Sequence, residues 1–282
     1  MLIAALATLL ICACAGNSMS TAERDAARAR YQKADAMFLE RCKKAGVFIH
    51  RTAENVEGIF LLKLRPDSTN YRDQYRMDDP YGHDSGGEYY IRSFFLEPML
   101  QANKYAKPEV LEKIRREYRG YRYVDAIDPK DGKRYRYTGS VKVVGKQDPT
   151  AHNTKPAMSR DPNYDLNIYS FVLDRVSVPD PAPRYGVTHD DISTREERDY
   201  WIAGSSLKVI DLETNEVMAE RIGYMMDRGQ GNDSGGRSPW LSAASHACPA
   251  FGPSGARQPG FSYQADQTRR FVTKIVKPTL EK

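Results

Sequence analysis

Hydrophobic positions along this chain change their period several times, and each change predicts an element. Leu2 to Ile11 is an uncharged apolar run of about ten residues, the length of a signal-peptide core. A spanning helix needs about twenty. Further on, Ala27, Tyr31, Ala34, Phe38, Cys42 and Ala45 recur at three- and four-residue steps and draw one apolar stripe along a helix. Ser20-Thr21-Ala22-Glu23 has the spacing of a capping box, in which serine and glutamate satisfy each other's orphan amides. Gly46 is the natural stop.

The pattern then shortens to strands. Val47 to Arg51 and Val56 to Leu64 read as two of them, and the unbroken Phe60-Leu61-Leu62 predicts a central strand buried on both faces before Arg65-Pro66 ends it. Tyr89 to Leu100 is apolar enough for a buried strand or short helix, and Pro108 to Arg116 reads as a short helix with proline near its first turn. Two hairpins follow. In the first, Tyr121-Arg122-Tyr123-Val124 and Arg134-Tyr135-Arg136-Tyr137 flank the turn Asp128-Pro129-Lys130-Asp131-Gly132. Alternation predicts tyrosines on one face of this hairpin and arginines on the other. In the second, from Tyr200 to Met226, Leu207–Asp211 and Val217–Glu220 flank a turn with Asn215 where a left-handed backbone is tolerated. Ile168 to Val178 is a further strand, and about Tyr263 to Val276 a closing helix with Phe271, Val272, Ile275 and Val276 inward.

Polar loops rich in Gly, Asp, Ser or Pro fill Asp67–Glu88, Gly145–Tyr164 and Asp227–Gly260. Helix, mixed strands and hairpins, then helix, without βαβ alternation, predicts an α+β fold: an antiparallel sheet packed with an N-terminal and a C-terminal helix. With no convincing internal linker, residues 21–282 read as one domain, residues 1–13 as a leader and 14–20 as a tether.

Charge narrows the function classes. Lys and Arg total 42 against 37 Asp and Glu, a formal charge of +5 over 282 residues. That surplus is dispersed and too weak to argue for nucleic acid, although it suits a protein beside anionic lipid.

Ile11-Cys12-Ala13-Cys14 resembles the lipobox of bacterial lipoproteins, with a branched residue at −3, a small one at −1 and then the acylated cysteine. The resemblance implies cleavage before Cys14 and thioether lipidation of its sulfur. Ala15, where no aspartate stands, implies the periplasmic face of the outer membrane. Ala13-Cys14-Ala15 also fits an A-x-A site that would release a soluble periplasmic protein, and a buried N-terminal helix is the remaining alternative. Of the four cysteines, Cys12 goes with the leader and Cys14 with the anchor, which leaves Cys42 and Cys248. Two thiols in an oxidising compartment most economically form one disulfide, with two separate buried thiols as the rival reading. Closing so long a loop has an upper bound of roughly 4–5 kcal/mol.

Several constellations invite chemistry. Asp233-Ser234-Gly235-Gly236 and Ser245-His246-Ala247-Cys248 resemble the nucleophile and histidine loops of chymotrypsin-like proteases. That family places its histidine early and its serine late, whereas His246 follows Ser234 closely. The same Asp-Ser-Gly-Gly recurs at Asp84-Ser85-Gly86-Gly87, so turn chemistry is the simpler account and no catalytic residue is assigned. Asp79, Asp84 and Asp233 are oxygen donors of the kind that hold Ca²⁺, in a spacing that matches no EF-hand. His50, His83, His152, His189 and His246 are scattered without zinc-ligand spacing, and the expectation is no metal and no cofactor.

Arg116, Arg119, Arg122, Arg134 and Arg136 interleave with Tyr118, Tyr121, Tyr123, Tyr135 and Tyr137, the residue types enriched at binding hot spots. Two readings stand: a half-buried hairpin with tyrosines packed inward, or a surface for an acidic partner protein. Under the second, Tyr121, Arg122, Tyr123, Arg134, Tyr135 and Arg136, with Asp84 and Asp233 from the loops, are the candidate contacts.

Asp78-Asp79-Pro80-Tyr81-Gly82 with Asp84-Ser85-Gly86-Gly87, preceded by Val56-Glu57-Gly58-Ile59 and Arg65-Pro66, resembles a set of uncharacterised proteobacterial lipoproteins. Some of these are encoded beside phospholipase effectors of type VI secretion systems. The resemblance implies an immunity protein, an anchored periplasmic domain that occludes a toxic lipase. Two classes therefore remain: a lipid-anchored binding protein, with effector neutralisation or an envelope structural role as its versions, and an exported hydrolase whose site spacing does not reveal.

Overall fold

The computed structural model describes residues 19–67, 73–82, 86–95, 120–178, 181–253 and 260–279. The leader, Cys14, Asp84, Ser85, the helix expected at Pro108 to Arg116, and Arg116, Tyr118 and Arg119 lie outside the described residues. Among the described residues no helix is long and apolar enough to cross a membrane.

Helix α1 (Thr21–Cys42) begins at the predicted capping box. The Glu23 amide donates to Ser20 Oγ at 3.2 Å and the Ser20 amide to the Glu23 carboxylate at 2.7 Å. These bonds hold the Glu23 carboxyl below its ordinary value. The expected stripe faces inward only over its C-terminal half. Ala34 and Phe38 are buried against Ile202, Tyr224 and Met226, with Tyr31, Cys42 and Ala45 packed beside them, whereas Ala27 is exposed.

The strands β1 (Gly46–Ile49), β3 (Gly58–Leu61), β4 (Tyr123–Ile127), β5 (Arg134–Lys146), β6 (Asn167–Ser177), β7 (Tyr185–Asp191), β8 (Ile202–Asp211) and β9 (Glu216–Met226) lie in the order β1-β9-β8-β7-β3-β4-β5-β6. A short β10 (Ala247–Cys248) also pairs with β9. The α+β class is as expected, but the sheet is mixed. Strand β3 runs parallel to both β4 and β7, and every other pairing within this sheet is antiparallel. The long connection from β3 to β4, which carries α2 (Gly87–Arg92), is the kind of crossover that a parallel pair needs. Of the strand expected over Val56 to Leu64 only Gly58–Leu61 belongs to β3, which is buried along its whole length, while Val56 ends a short strand of a separate sheet.

Both hairpins form, β4–β5 and β8–β9, and Asn215 takes the left-handed backbone (φ 57°) in the second turn. The expected loop at Gly145–Tyr164 is shorter than predicted. Strand β5 runs to Lys146 and α3 (Thr154–Arg160) follows, since pairing with β6 supplies hydrogen bonds that local composition does not reveal.

Strands β1 and β10 divide one edge of β9 between them. Gly46–Ile49 pairs with Ala219–Ile222, and Ala247–Cys248 with Tyr224–Met225. The disulfide Cys42–Cys248 (S–S 2.01 Å) ties the end of α1 to β10. Its two cysteines stand 206 positions apart, so it constrains most of the unfolded chain.

The closing helix is two helices, α6 and α7, whose breaks and contacts were not legible locally. Helices α4 (Arg195–Asp199) and α5 (Pro239–Ala243) precede them; α6 spans Gly260–Gln264 and α7 spans Gln267–Ile275. Asp266, left-handed at φ 65°, separates the pair. Across this break the Gln264 and Gln267 amides both donate to the buried Tyr81 carbonyl at 2.9 Å, a tertiary contact that overrides local propensity. Phe271, Val272, Ile275 and Val276 are buried as expected. Strand β11 (Val276–Pro278) then pairs in parallel with β2 (Ala53–Val56) as a separate two-stranded sheet.

Alternation gives the large sheet two faces. Ile59, Leu61, Val124, Ala126, Tyr137, Val187, Leu207, Val209 and Ala219 form the core face, beneath Tyr90, Phe94, Tyr121 and the apolar side of α7. On the opposite face, α1 covers Ile202, Tyr224 and Met226 at the β8–β9 end.

Candidate interaction surface

Beyond α1, the register places Val176, Arg136, Asp125, Phe60, Gly186, Ile210 and Val217 in one row across that second face. Val176 at one end is 60% exposed, and Ile127 on the neighbouring position of β4 is 39% exposed. Between them lies an ordered charge cluster. Asp125 is fully buried and accepts two bonds from Arg136, Nε–H at 2.7 Å and Nη2–H at 3.0 Å. Arg134 approaches the same carboxylate at 3.6 Å. The carboxylate beside it holds the Arg136 guanidinium above its ordinary pKa.

The Arg136 guanidinium also lies 4.0 Å from the centre of the Tyr123 ring. That ring in turn covers Gly58, where an added Cβ would stand 2.2 Å from it, so only glycine lets the stack form. Two guanidiniums meet one carboxylate on a half-buried, aromatic-backed surface.

The six hairpin candidates therefore separate. Tyr123, Arg134 and Arg136 share the second face, where they are half-buried. Tyr123 is a correction to the expected division of tyrosines from arginines, because β4 and β5 pair Asp125 with Arg136 and so bring Tyr123 to the arginine side. Arg122 is exposed and pairs with Glu57 at 2.9 Å. Tyr135 stands on the core face, with its hydroxyl donating to Asp131 at 2.7 Å and Arg175 over its ring at 4.5 Å. Tyr121 is buried and its hydroxyl donates to the Val276 carbonyl; burial raises its pKa well above the ordinary value. As an interior hydrogen-bonded group it does not belong to a contact surface.

The loop candidates resolve into turn chemistry. Asp233 is exposed and precedes a 3-10 turn, Ser234–Gly236, in which Gly235 and Gly236 take left-handed φ values of 67° and 77°. The Ser234 amide donates to Asn232, and among the described residues no hydrogen bond joins Ser234 to His246. The loop is held by Asp227 instead. This buried carboxylate accepts the amides of Gly229 at 3.0 Å and Gly231 at 2.8 Å, and pairs with Arg237.

Asp79 is likewise interior. It pairs with the buried Arg65 at 2.8 Å and accepts the Gly82 amide at 3.0 Å. Among the described residues no group of three or more His, Cys, Asp or Glu stands where it would hold a metal ion.

Sequence reasoning missed Asp125 and Asp227, the residues that organise the surface and the loop. The signal for Asp227 was present, since Asp-Arg-Gly-Gln-Gly spaces glycines where a carboxylate can accept their amides. Asp125 carried none, because its partners are assigned by strand register. Comparison of the chain with protein-family models, curated proteins and solved structures finds no match.

Proposed function

We propose that this chain is a membrane-anchored periplasmic binding protein, and that its open sheet face docks an acidic surface of a protein partner. The partner we favour is a secreted lipase-type effector of type VI secretion, as the resemblance to lipoproteins encoded beside such effectors implies. The observation that carries the reading is the Tyr123–Arg136–Asp125–Arg134 cluster. It offers two guanidiniums, aromatic backing and flanking apolar residues on a pre-ordered strand surface, the chemistry of a binding hot spot.

The Cys42–Cys248 disulfide supports the compartment, since such bonds persist where glutathione does not reduce them. Lipidation of Cys14 would hold the domain at the periplasmic face of the outer membrane.

Co-expression with the product of the adjacent gene tests the proposal. A stoichiometric complex that suppresses a lipase activity, and that Arg136→Ala disrupts, is the expected result. Purified protein that itself hydrolyses esters, and loses this with Ser234→Ala or His246→Ala, would overturn it. Cys14→Ser should release the protein from membranes, and unchanged membrane retention would sink the anchor.

A further inference from the structure

A cavity of about 450 Å³ opens near the disulfide, between α5, the start of α6 and the loop that ends at Arg237. Ser238, Leu241, Ser242, Ser245, His246 and Phe261 line it. Its frame is fixed on three sides. Arg237 is clamped by Asp227. His246 leads directly into β10, where the Met226 amide donates to its carbonyl at 3.0 Å and the disulfide follows two residues later. Gly260 seats α6 against the end of α5 so closely that an added Cβ would lie 2.1 Å from the Ala244 carbonyl oxygen. Its amide donates to Ser245 Oγ at 3.1 Å, which leaves the Ser245 hydroxyl proton to give.

Among the described residues the charged side chain that lines it is Arg237, and it is paired. The Arg237 guanidinium is engaged by Asp227. Burial, and then Arg228, hold the His246 imidazole below its ordinary pKa, so the ring is neutral at pH 7. Phe261 stays 43% exposed beside these polar groups. Another cavity, about 560 Å³ between α1 and α4, differs in this respect. There Arg30 and Lys33 lie over the Tyr200 ring at 4.7 and 4.8 Å and Lys33 pairs with Glu196 at 3.0 Å, so its charges are spent on one another.

We propose that the cavity beside His246 binds a neutral saccharide ring, with an apolar face of the sugar on Phe261 and its hydroxyls bonded by Ser238, Ser242, Ser245 and His246. Serine hydroxyls donate and accept, and a neutral imidazole does one of each, which matches the alternating donors and acceptors of vicinal hydroxyls. An anionic ligand would find the lining guanidinium, Arg237, already engaged by Asp227. An alkyl chain would desolvate four polar groups and bond none of them. A volume of this size lies within the range of small-ligand sites. The inference does not rest on the docking role of the sheet face.

Calorimetric titration of the purified full chain with maltotriose and with chitotriose tests it, together with saturation-transfer NMR on the sugar protons. Saturable binding is expected, with transfer strongest at ring C–H groups and an affinity insensitive to salt. Phe261→Leu, which keeps apolar volume but removes the aromatic face, should weaken it by about tenfold. Ser242→Ala should weaken it separately. Circular dichroism and the retained disulfide confirm that each variant is folded. No saturable binding of either sugar, binding unchanged in both variants, or tighter binding of trigalacturonate or decanoate would overturn the proposal.

Discussion

Among the aspartates completely buried against arginines, Asp79 and Asp125 contrast: one pair is closed and the other half open. Asp79 meets Arg65 in the interior, where Arg65 is 1% exposed and also lies 5.5 Å from the centre of the Tyr90 ring. Asp125 meets Arg134 and Arg136 on the open sheet face, where their side chains keep 13% and 30% of their exposure. The same chemistry therefore has two consequences. A charge pair sealed from water constrains the fold, because removing either member strands the other in a medium that cannot solvate it. A pair that shows one guanidinium edge to water can meet a partner without the domain first opening.

The largest expected effect tests the closed pair. Asp79→Ala removes the fully buried carboxylate from the Arg65 pair and should cost about 3–5 kcal/mol in urea unfolding. A loss no larger than that of Arg136→Ala would remove the distinction between the two regions. Next comes the disulfide, which lies outside both pairs and sets the scale for a purely covalent constraint. Replacing Cys42 and Cys248 together with serine should lower stability by about 2–5 kcal/mol, read from unfolding under non-reducing conditions.

At the open pair, Arg136→Ala should weaken partner binding by about 2 kcal/mol. Because Arg134 remains beside Asp125, the same change should lower the stability of the domain by less than Asp79→Ala does. Measuring both quantities on one variant sharpens the comparison, since a structural residue would move stability first.

The smallest effect is a pH slope. Burial depresses the pKa of His246 in the folded chain, so the unfolded chain takes up the proton first as pH falls below the ordinary histidine value. That contribution to stability is full above about pH 6.5 and declines toward the folded pKa. His246→Gln should flatten this part of the profile while leaving the response to Asp79→Ala unchanged.

Much of the local structure was legible in the residues. The Ser20–Glu23 capping box, the wholly buried Gly58–Leu61 strand and both hairpin turns follow from rules that operate over a few positions. The Cys42–Cys248 disulfide is one of the two readings that the residues left open. The candidate surface was half legible. Arg134 and Arg136 stand on one face as alternation requires, whereas Tyr121 turned inward and Tyr123 joined the arginines.

By itself, then, the amino-acid order determined where helices and hairpins start and turn, since capping, side-chain period and turn residues are properties of neighbours along the chain. Only the tertiary structure decided that β3 lies parallel between β4 and β7, that Asp125 gathers Arg134 and Arg136, and that α7 begins anew at Gln267. Those outcomes depend on strand register and on which polar groups meet in the interior. Such contacts join residues far apart in sequence, and no local pattern encodes them.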